Sequence, residues 1–356
     1  MPKIRIVIID DSAVVHALLE KALRQIDEFE IAGKAFDGKS GVKIVTEKKP
    51  DIVIMDINMP QMGGLEAIEE IMDLYPVPII VFSAASQEIV NLGYEAIGRG
   101  ALDIVEKPQS LNFEDFLKII NNVLFHKIKA FAGLKLVRRK KKIKVFEDVP
   151  KRVAQSDIIH QKPQYSDENF PIIGIAASTG GPQTIRQFID RIAPNSLSAP
   201  IVIIQHMAEG FISGFANWLS LSSRIPVTIA KENEFPKKEN IYIAPGHIHL
   251  AFNKKGFFTY LYKPPLGGIR PSADIFFESL AETYRERAIA IVLTGMGNDG
   301  AKGLLAIKKY NGYIIAQDQE SSIIFGMPKA AIEMGIVDEI VSIDKLYPFI
   351  ISLLRQ

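Results

Sequence analysis

Residues 4–11 read IRIVIIDD, an apolar run that is broken once by Arg5 and ends in two aspartates. Similar apolar runs follow at residues 31–35, 52–55, 79–82 and 101–105. Their isoleucine and valine content, with Asp, Gly or Pro at their ends, is typical of parallel strands that are buried on both faces. Helical spacing of apolar residues lies between them, at residues 14–25, 64–74 and 89–99. This alternation predicts an open, doubly wound parallel sheet of five strands.

The same alternation returns in the second half of the chain with a new set of strands. These strands are predicted at residues 172–176, 201–205, 241–244, 288–294 and 313–316. Helices are predicted at residues 182–192, 214–221, 272–285, 301–310 and 344–354. Residues 247–252 and 257–262, which flank Asn253-Lys254-Lys255-Gly256, predict a β-hairpin. The second half is therefore expected to be a mostly parallel α/β domain that contains a β-hairpin.

The periodicity fades between these two halves. A chain of 356 residues is long enough for two domains, and we expect them at residues 1–126 and 170–356. Residues 127–169 are then a linker that contains the basic run 138–142. Such a run fits a solvated linker, and it also fits a contact with nucleic acid or an acidic partner.

Composition excludes several classes of protein. The 42 basic and 41 acidic residues give a net charge of +1, which argues against general binding to nucleic acid or anionic membranes. No cysteine is present, so disulfides, a thiol nucleophile and cysteine-bound metals are excluded. Neither a signal peptide nor an apolar run near the ~20 residues of a membrane helix is found. These features predict a soluble, cytoplasmic protein without membrane insertion.

Three carboxylates are predicted to meet at the carboxyl edge of the first sheet. Asp10 and Asp11 follow the first strand, and Asp56 follows the third, with Asn58 close behind. Ligands of open parallel sheets bind beyond this edge. The carboxylates would repel one another unless a cation neutralised them, and oxygen ligands suit Mg²⁺. We therefore expect a magnesium site formed by these four residues.

Two further polar residues end the neighbouring strands of the same sheet. Ser83 follows the fourth strand and Lys107 follows the fifth. The hydroxyl and the ammonium can both donate to an anionic oxygen. Together with Mg²⁺ they are suited to stabilise a phosphoryl group on Asp56. The alternative is that the acidic residues serve only as helix caps and turn residues.

In the second half, three groups of a hydrolytic triad follow three predicted strands. Ser178 precedes Thr179-Gly180-Gly181 at a strand-to-helix turn, where a serine is exposed and backbone N–H groups can hold an oxyanion. By itself this turn also fits a helix cap or a phosphate cradle. His206 follows the next strand and is a candidate base, and Asp299 follows a later one. Their meeting at one sheet edge would form a triad, which is defined by geometry and not by chain order.

The loop that contains Asp299 also permits a second interpretation. Residues 295–300 spell G-x-G-x-x-G after a strand and before a helix, and Asp318 follows about 20 residues on. That pattern is the dinucleotide-binding fingerprint. A carboxylate at Asp299, however, would repel a pyrophosphate, and this interpretation leaves Ser178 and His206 unused.

Three other polar residues have open roles. His247 and His249 share one face of a predicted strand, a spacing that suits a metal, but no third ligand is evident. A place on an exposed strand or at the rim of the substrate site is the alternative. Arg270 is suited to steer substrate carboxylates and equally to form a surface salt bridge.

The first half resembles the receiver domain of two-component response regulators, which is flavodoxin-like. The residues that carry this resemblance are Asp10-Asp11, Asp56 with Asn58 and Pro60, Gly63-Gly64, Ser83-Ala84 and Lys107-Pro108. It implies Asp56 as the phosphoacceptor, Ser83 and Lys107 as switch residues, and a chemotaxis histidine kinase as the phosphoryl donor. Ile104 departs from the pattern, because many receivers carry an aromatic residue there, and this puts coupling through a swinging ring in doubt.

The second half resembles the catalytic domain of the chemotaxis protein-glutamate methylesterases. The residues that carry this resemblance are 178–181, 205–207, 244–247, 270–274 and 294–300. It implies Ser178 as nucleophile, His206 as base and Asp299 as its orienting acid. It also implies that Thr179 and Met296 lie near the oxyanion. Ala176 stands where the family more often has glycine.

Together the two resemblances imply a phosphorylation-activated serine esterase of chemotaxis adaptation. Its substrates would be glutamate γ-methyl esters on methyl-accepting chemoreceptors, with release of methanol, and deamidation of receptor glutamines is implied as a second activity. The unphosphorylated receiver is implied to pack over the esterase cleft. No cofactor is expected at the esterase site. The rival function is a response regulator whose second domain only binds, either a dinucleotide or a protein partner.

Overall fold

The computed structural model describes residues 2–84, 87–108, 112–134, 136 and 170–355. The basic run at residues 138–142, for which a linker role is predicted, lies outside the described residues. Within the described parts of the chain, no helix has both the length and the apolar character that a bilayer crossing requires.

The first unit is a five-stranded parallel sheet with helices on both faces, as predicted. Its strands are β1 (Ile4–Ile9), β2 (Phe29–Ala35), β3 (Ile52–Met55), β4 (Ile79–Ser83) and β5 (Asp103–Glu106), in the order β2-β1-β3-β4-β5. Its helices are α1 (Ala13–Leu23), α2 (Gly38–Lys48), α3 (Gly64–Leu74), α4 (Gln87–Arg99) and α5 (Phe113–Ile119), which continues through a π-helical turn (Ile120–Leu124) into α6 (Phe125–Phe131). The sheet buries an apolar cluster on each face, with Leu19 and Phe116 on one side and Val45 and Ile68 on the other.

The second unit contains a seven-stranded sheet in which every strand pair is parallel. Its strands are β6 (Ile172–Ala177), β7 (Ile201–Gln205), β8 (Val227–Ile229), β9 (Ile241–Ile243), β12 (Ala288–Val292), β13 (Tyr313–Gln317) and β14 (Glu339–Val341). The predicted hairpin forms a separate two-stranded sheet from β10 (His249–Phe252) and β11 (Phe258–Leu261). The helices are α7 (Gly181–Ile189), α8 (Glu209–Ser220), α9 (Ala273–Tyr284), α10 (Ala301–Lys309), α11 (Met327–Glu333) and α12 (Ile343–Leu354).

The strand order β14-β13-β12-β6-β7-β9-β8 places three strands with polar ends side by side at its centre. The chain leaves β6 towards β7 on one side, and it returns later as β12 on the other side. The order of strands therefore reverses between β6 and β12, which creates a crevice at their carboxyl ends. Ser178, His206 and Asp299 all follow the strands around this crevice.

The two units pack against each other through α4 and α8. Tyr94 on α4 is 1% exposed, and its ring lies 5.6 Å from the Phe215 ring and 5.5 Å from the Trp218 ring. Its hydroxyl donates to the Phe211 carbonyl at 3.0 Å. Burial raises the pKa of Tyr94 well above its ordinary value, so this hydroxyl remains a donor. A side chain of the first unit thus completes an apolar cluster of the second unit.

Candidate catalytic and phosphorylation sites

The three acidic residues predicted at the first sheet edge lie together in the structure. Asp10, Asp11 and Asp56 each offer a carboxylate oxygen, and these oxygens lie within 4.8 Å of one another. Asp10 and Asp56 are buried, whereas Asp11 is exposed. Burial raises the pKa of Asp10, against the opposing effect of Lys107. Such a cluster of oxygen ligands fits a divalent cation, whose charge would offset this burial.

The remaining predicted receiver residues surround Asp56. The Ser83 hydroxyl donates to Asp56 Oδ1 at 2.6 Å, and the Asn58 backbone N–H lies 3.4 Å from the same oxygen. Lys107 Nζ contacts Asp56 Oδ2 and lies 2.7 Å from Asp10 Oδ2. Burial acts to lower the pKa of Lys107, but the carboxylates of Asp56 and Asp10 outweigh it and hold this pKa above its ordinary value. Donors for an anionic oxygen thus converge on one carboxylate.

The second site is built where β6, β7 and β12 end. His206 Nε2 lies 2.8 Å from Asp299 Oδ2. An ionised carboxylate can only accept, so Nε2 carries the proton and Nδ1 keeps its lone pair. Ser178 and His206 line the same cleft, and no hydrogen bond between their side chains is formed among the described residues. Catalytic hydrogen bonds are often long without substrate and tighten when it binds.

The turn that carries Ser178 requires closely packed glycines. Gly180 has a φ of 76°, and a Cβ on Gly181 would lie 2.0 Å from Gln205 Oε1. Gln205 is buried, and its Nε2 donates to the Ser178 carbonyl at 2.8 Å. A Cβ on Gly295 would lie 2.9 Å from the Ser178 Cβ. Larger residues at Gly181 or Gly295 would therefore displace the turn that presents the serine.

The Asp299 carboxylate is fixed by four donors. Oδ2 accepts from His206 and from the Ala273 N–H at 2.6 Å. Oδ1 accepts from the Ser272 hydroxyl at 2.8 Å and from the Asp274 N–H at 3.2 Å. Burial acts to raise the pKa of Asp299, but the hydrogen bond and charge of His206, with the donors at the start of α9, hold it below its ordinary value. Asp299 is therefore ionised at neutral pH and aimed at the imidazole.

The other residues predicted for this site are Thr179 and Met296, which lie in the cleft, and Arg270, which lies at its rim. Thr179 is buried, Met296 is half-buried, and both line the cleft beside Ser178. Among the described residues, neither of their backbone N–H groups has a hydrogen-bond acceptor. Arg270 is exposed, next to Ile269 on the cleft wall. Two N–H donors are thus available near the serine, and Arg270 lies at the rim.

The cleft itself lies between the two units and has a volume of about 700 Å³. Ser178 and His206 are on one wall. The facing wall is formed by residues of the first unit that include Lys107, Val123 and His126. Lys107 therefore contacts Asp56 and also borders the cleft into which the serine opens.

The alternatives raised by the sequence have different outcomes. In the glycine-rich loop Asp299 is turned to His206, and Asp318 accepts from the Ser321 hydroxyl at 2.5 Å, so both carboxylates are engaged within the protein. His247 is exposed and pairs with Glu209 at 3.1 Å. His249 is fully buried, with protein partners on both ring nitrogens. These two histidines do not share a metal-binding face.

Several site residues have no role assigned by the sequence reasoning. Gln205, Ser272 and Tyr94 act through contacts between segments that lie far apart along the chain. Only Ser272 has a local signal, because it immediately precedes a predicted helix and a serine there is a typical N-cap.

Comparisons with known proteins agree with this architecture. Residues 6–121 match the response regulator receiver domain, and residues 173–350 match the CheB methylesterase family. A protein-glutamate methylesterase/protein-glutamine glutaminase of Pyrococcus abyssi is 37% identical and covers 97% of this chain and 92% of its own. The protein-glutamate methylesterase/protein-glutamine glutaminase 1 of Syntrophomonas wolfei is 35% identical over 99% of this chain and all of its own.

One solved structure covers the second unit. The crystal structure of the Thermotoga maritima CheB methylesterase catalytic domain is 38% identical, covers 52% of this chain and 98% of its own, and has a TM-score of 0.50. It therefore matches the half of the chain that contains Ser178, His206 and Asp299. With full-length relatives above 30% identity and both domain families matched, this chain belongs to the CheB methylesterases that carry a response regulator receiver domain.

Proposed function

We propose that this protein is a phosphorylation-activated serine esterase that hydrolyses glutamate γ-methyl esters on chemoreceptors and releases methanol. The observation that carries the proposal is the His206–Asp299 contact beside Ser178 at the point where the strand order reverses. The names of the relatives support the substrate, and they also support deamidation of receptor glutamines. Methanol release from a methylated receptor, measured with and without a phosphodonor, tests both domains together.

The proposed reaction uses only residues of this chain. His206 Nδ1 takes the Ser178 proton while the serine oxygen attacks the ester carbonyl. The N–H groups of Thr179 and Met296 hold the oxyanion. Collapse of this intermediate expels methanol, which takes the proton from His206, and leaves an acyl-serine. Water then attacks it with His206 as base, restoring Ser178 and freeing the glutamate carboxylate.

The receiver is proposed to take a phosphoryl group from a chemotaxis histidine kinase onto Asp56. Asp10, Asp11, Asp56 and Asn58 would hold Mg²⁺, which supplies positive charge near the transferred oxygens. Ser83 and Lys107 would then donate to the phosphoryl oxygens. Because such a kinase and the methylated receptor helices are cytoplasmic, we propose a cytoplasmic location. We also propose domain limits at residues 1–126 and 170–356, joined by a linker at residues 127–169.

We further propose that the unphosphorylated receiver restrains the esterase. Support comes from the cleft between the units, because residues of the first unit form the wall that faces Ser178 and His206 and so lie beside any receptor segment that reaches the serine. Lys107 connects the two sites, since it contacts Asp56 and borders this cleft. Phosphorylation would draw its ammonium to the new anion and so favour a separated arrangement over the closed one.

Replacing the phosphoacceptor, Asp56→Asn, is expected to reduce labelling by acetyl phosphate in the presence of Mg²⁺ to background. An amide is a poor nucleophile and removes one charge from the cation site. Gel-based detection of the phosphorylated protein measures this, with Asp73→Asn on the exposed face of α3 as the matched control. Persistent labelling of the Asp56→Asn protein would show that the acceptor is elsewhere.

Replacing the interface tyrosine, Tyr94→Ala, is expected to raise methanol release without phosphodonor by about tenfold. Truncation of a buried aromatic costs about 3–5 kcal/mol, and about 1.4 kcal/mol lost from the closed arrangement already corresponds to a factor of ten. Tyr94→Phe keeps the ring and loses only the hydroxyl contacts with the Phe211 carbonyl and the Met207 sulfur, so it should change release by no more than about threefold. Wild-type release from Tyr94→Ala would mean that this contact does not restrain the enzyme.

A further inference from the structure

A fully buried histidine lies behind the candidate triad and takes no part in the proposed reaction. His249 on β10 is 0% exposed. Its Nδ1 accepts from the Ser272 backbone N–H at 3.0 Å, and its Nε2 lies 3.1 Å from the Pro264 carbonyl. Since a carbonyl only accepts, Nε2 must carry the proton and Nδ1 must be bare. In this one tautomer the imidazole thus connects Pro264 to Ser272, the N-cap residue of α9.

Ser272, whose backbone N–H donates to His249, also donates to Asp299 through its hydroxyl. Ser272 caps α9, and its hydroxyl donates to Asp299 Oδ1 at 2.8 Å. The next two backbone N–H groups, of Ala273 and Asp274, also donate to that carboxylate. A shift of the chain at Ser272 would therefore move three of the four donors to Asp299 at once.

The start of α9 is also held by hydrogen bonds to the start of α10, because each of these two segments supplies a carboxylate that accepts from the other. Asp299, just before α10, accepts from the start of α9, while Asp274, at the start of α9, accepts from Gly300 at 2.9 Å and from Gly303 at 2.8 Å. Burial, with a smaller contribution from Asp299, raises the pKa of Asp274. A Cβ on Gly303 would lie 2.6 Å from the Asp274 carbonyl oxygen, so the glycine at this position allows α10 to approach α9 closely enough for these bonds.

We propose that His249 is a positioning residue for the esterase: it fixes the start of α9 through Ser272 and thereby holds Asp299 in line with His206. It contacts neither substrate nor nucleophile. Its effect is on the orientation of the base, which matters when the imidazole becomes positively charged in the transition state. This role rests on the proposed esterase activity of the same site.

The two hydrogen bonds of His249 can be separated by substitution. His249→Asn places an amide oxygen near the position of Nδ1 and keeps the acceptor for Ser272. His249→Gln places an amide nitrogen near the position of Nε2, keeps the donor to Pro264 and loses the acceptor for Ser272. We expect His249→Gln to lower kcat for methanol release about 10- to 100-fold with KM within about twofold, because a misplaced catalytic group weakens the transition state and not substrate binding. His249→Asn should restore kcat to within about threefold of wild type.

The measurement is steady-state methanol release from membranes that carry a receptor radiolabelled at its methyl esters, using the full chain with phosphodonor. Equal loss in the Gln and Asn variants, a change in KM alone, or wild-type kcat in His249→Gln would overturn the proposal. If the Gln variant does not fold, His249→Asn decides, because it keeps the acceptor for the Ser272 backbone N–H and loses the donor to Pro264. Its kcat should stay within about threefold of wild type, and a 10- to 100-fold loss of kcat at unchanged KM would overturn the proposal. Absence of methanol release from the wild-type protein would contradict the esterase function itself, so the two failures are distinguishable.

Discussion

Replacing Ser178 by alanine is expected to abolish methanol release, by a factor on the order of 10⁴ or more. Without the hydroxyl no acyl-enzyme can form, and His206 has no proton to take. The residual rate would come from the oxyanion donors and from binding alone. The turn should remain intact, because its described hydrogen bonds use the Ser178 backbone: its N–H donates to Thr294 and its carbonyl accepts from Gly181 and Gln205.

The control for this experiment is a serine-to-alanine change outside the cleft. Ser220 is exposed on α8, and its hydroxyl bonds only the carbonyl three residues before it. Ser220→Ala should release methanol at the wild-type rate, and both variants should accept phosphoryl label from acetyl phosphate. Methanol release by Ser178→Ala at the wild-type rate would remove this residue from the mechanism. A nicotinamide cofactor retained on purification would favour the rival function, a domain that only binds.

Much of the fold follows from the sequence because its central elements carry strong periodic signals. The runs at 52–55 and 201–205 are strands with those bounds, and 64–74 is a helix with those bounds. The two strands are buried throughout and nearly continuously apolar, and the helix has one apolar face at helical spacing, so burial and local preference agree. The two predicted α/β domains, the five-stranded sheet and the hairpin are confirmed.

The elements that the sequence does not predict are short or weakly patterned. β8 and β14 have three residues each and form the two edges of the larger sheet, where a strand pairs on one side only. Three residues are too few for a periodic signal, and neither strand is buried throughout as the equally short β9 is. The helix α8 begins at Glu209, five residues before its predicted start at 214. Glycines at 210 and 214 and the absence of a side-chain cap at Ala208 weaken the helical pattern there.

The candidate site likewise contains residues that the sequence predicts and residues that it does not. Residues at the ends of long central strands can be grouped from sequence, because parallel strands bring their carboxyl ends to one edge. The residues that hold them cannot. Ser272 and His249 reach Asp299 through the packing of α9 against the hairpin, and Tyr94 enters a cluster built by the other unit. Ile104 on β5 packs against this same cluster. The aromatic side chain at this place is therefore Tyr94 of α4, although β5 itself lacks one.

Replacing the orienting acid, Asp299→Asn, is expected to lower kcat by a factor on the order of 10⁴. The carboxylate accepts from four donors and donates to none, whereas an amide must place an NH₂ group towards two of them. If the NH₂ faces His206, the imidazole must take the other tautomer, with the proton on Nδ1 towards Ser178, and it is no longer a base. If the NH₂ faces Ser272 and Asp274, a buried N–H loses its acceptor, at a cost of about 1–3 kcal/mol. Either orientation also removes the charge that stabilises the imidazolium.

The same change predicts a difference in acid stability that separates electrostatics from packing. Folding lowers the Asp299 pKa below its ordinary value of 3.8, so the carboxylate stabilises the folded state above that pH and loses this contribution as the pH falls through the lower folded value. The wild-type protein should therefore lose more stability than Asp299→Asn between pH 5 and pH 3, as thermal denaturation would measure. Asp190→Asn, at an exposed position at the end of α7, is the control and should follow the wild type in both activity and stability. An Asp299→Asn protein with near wild-type kcat would mean that His206 needs no carboxylate to act as a base.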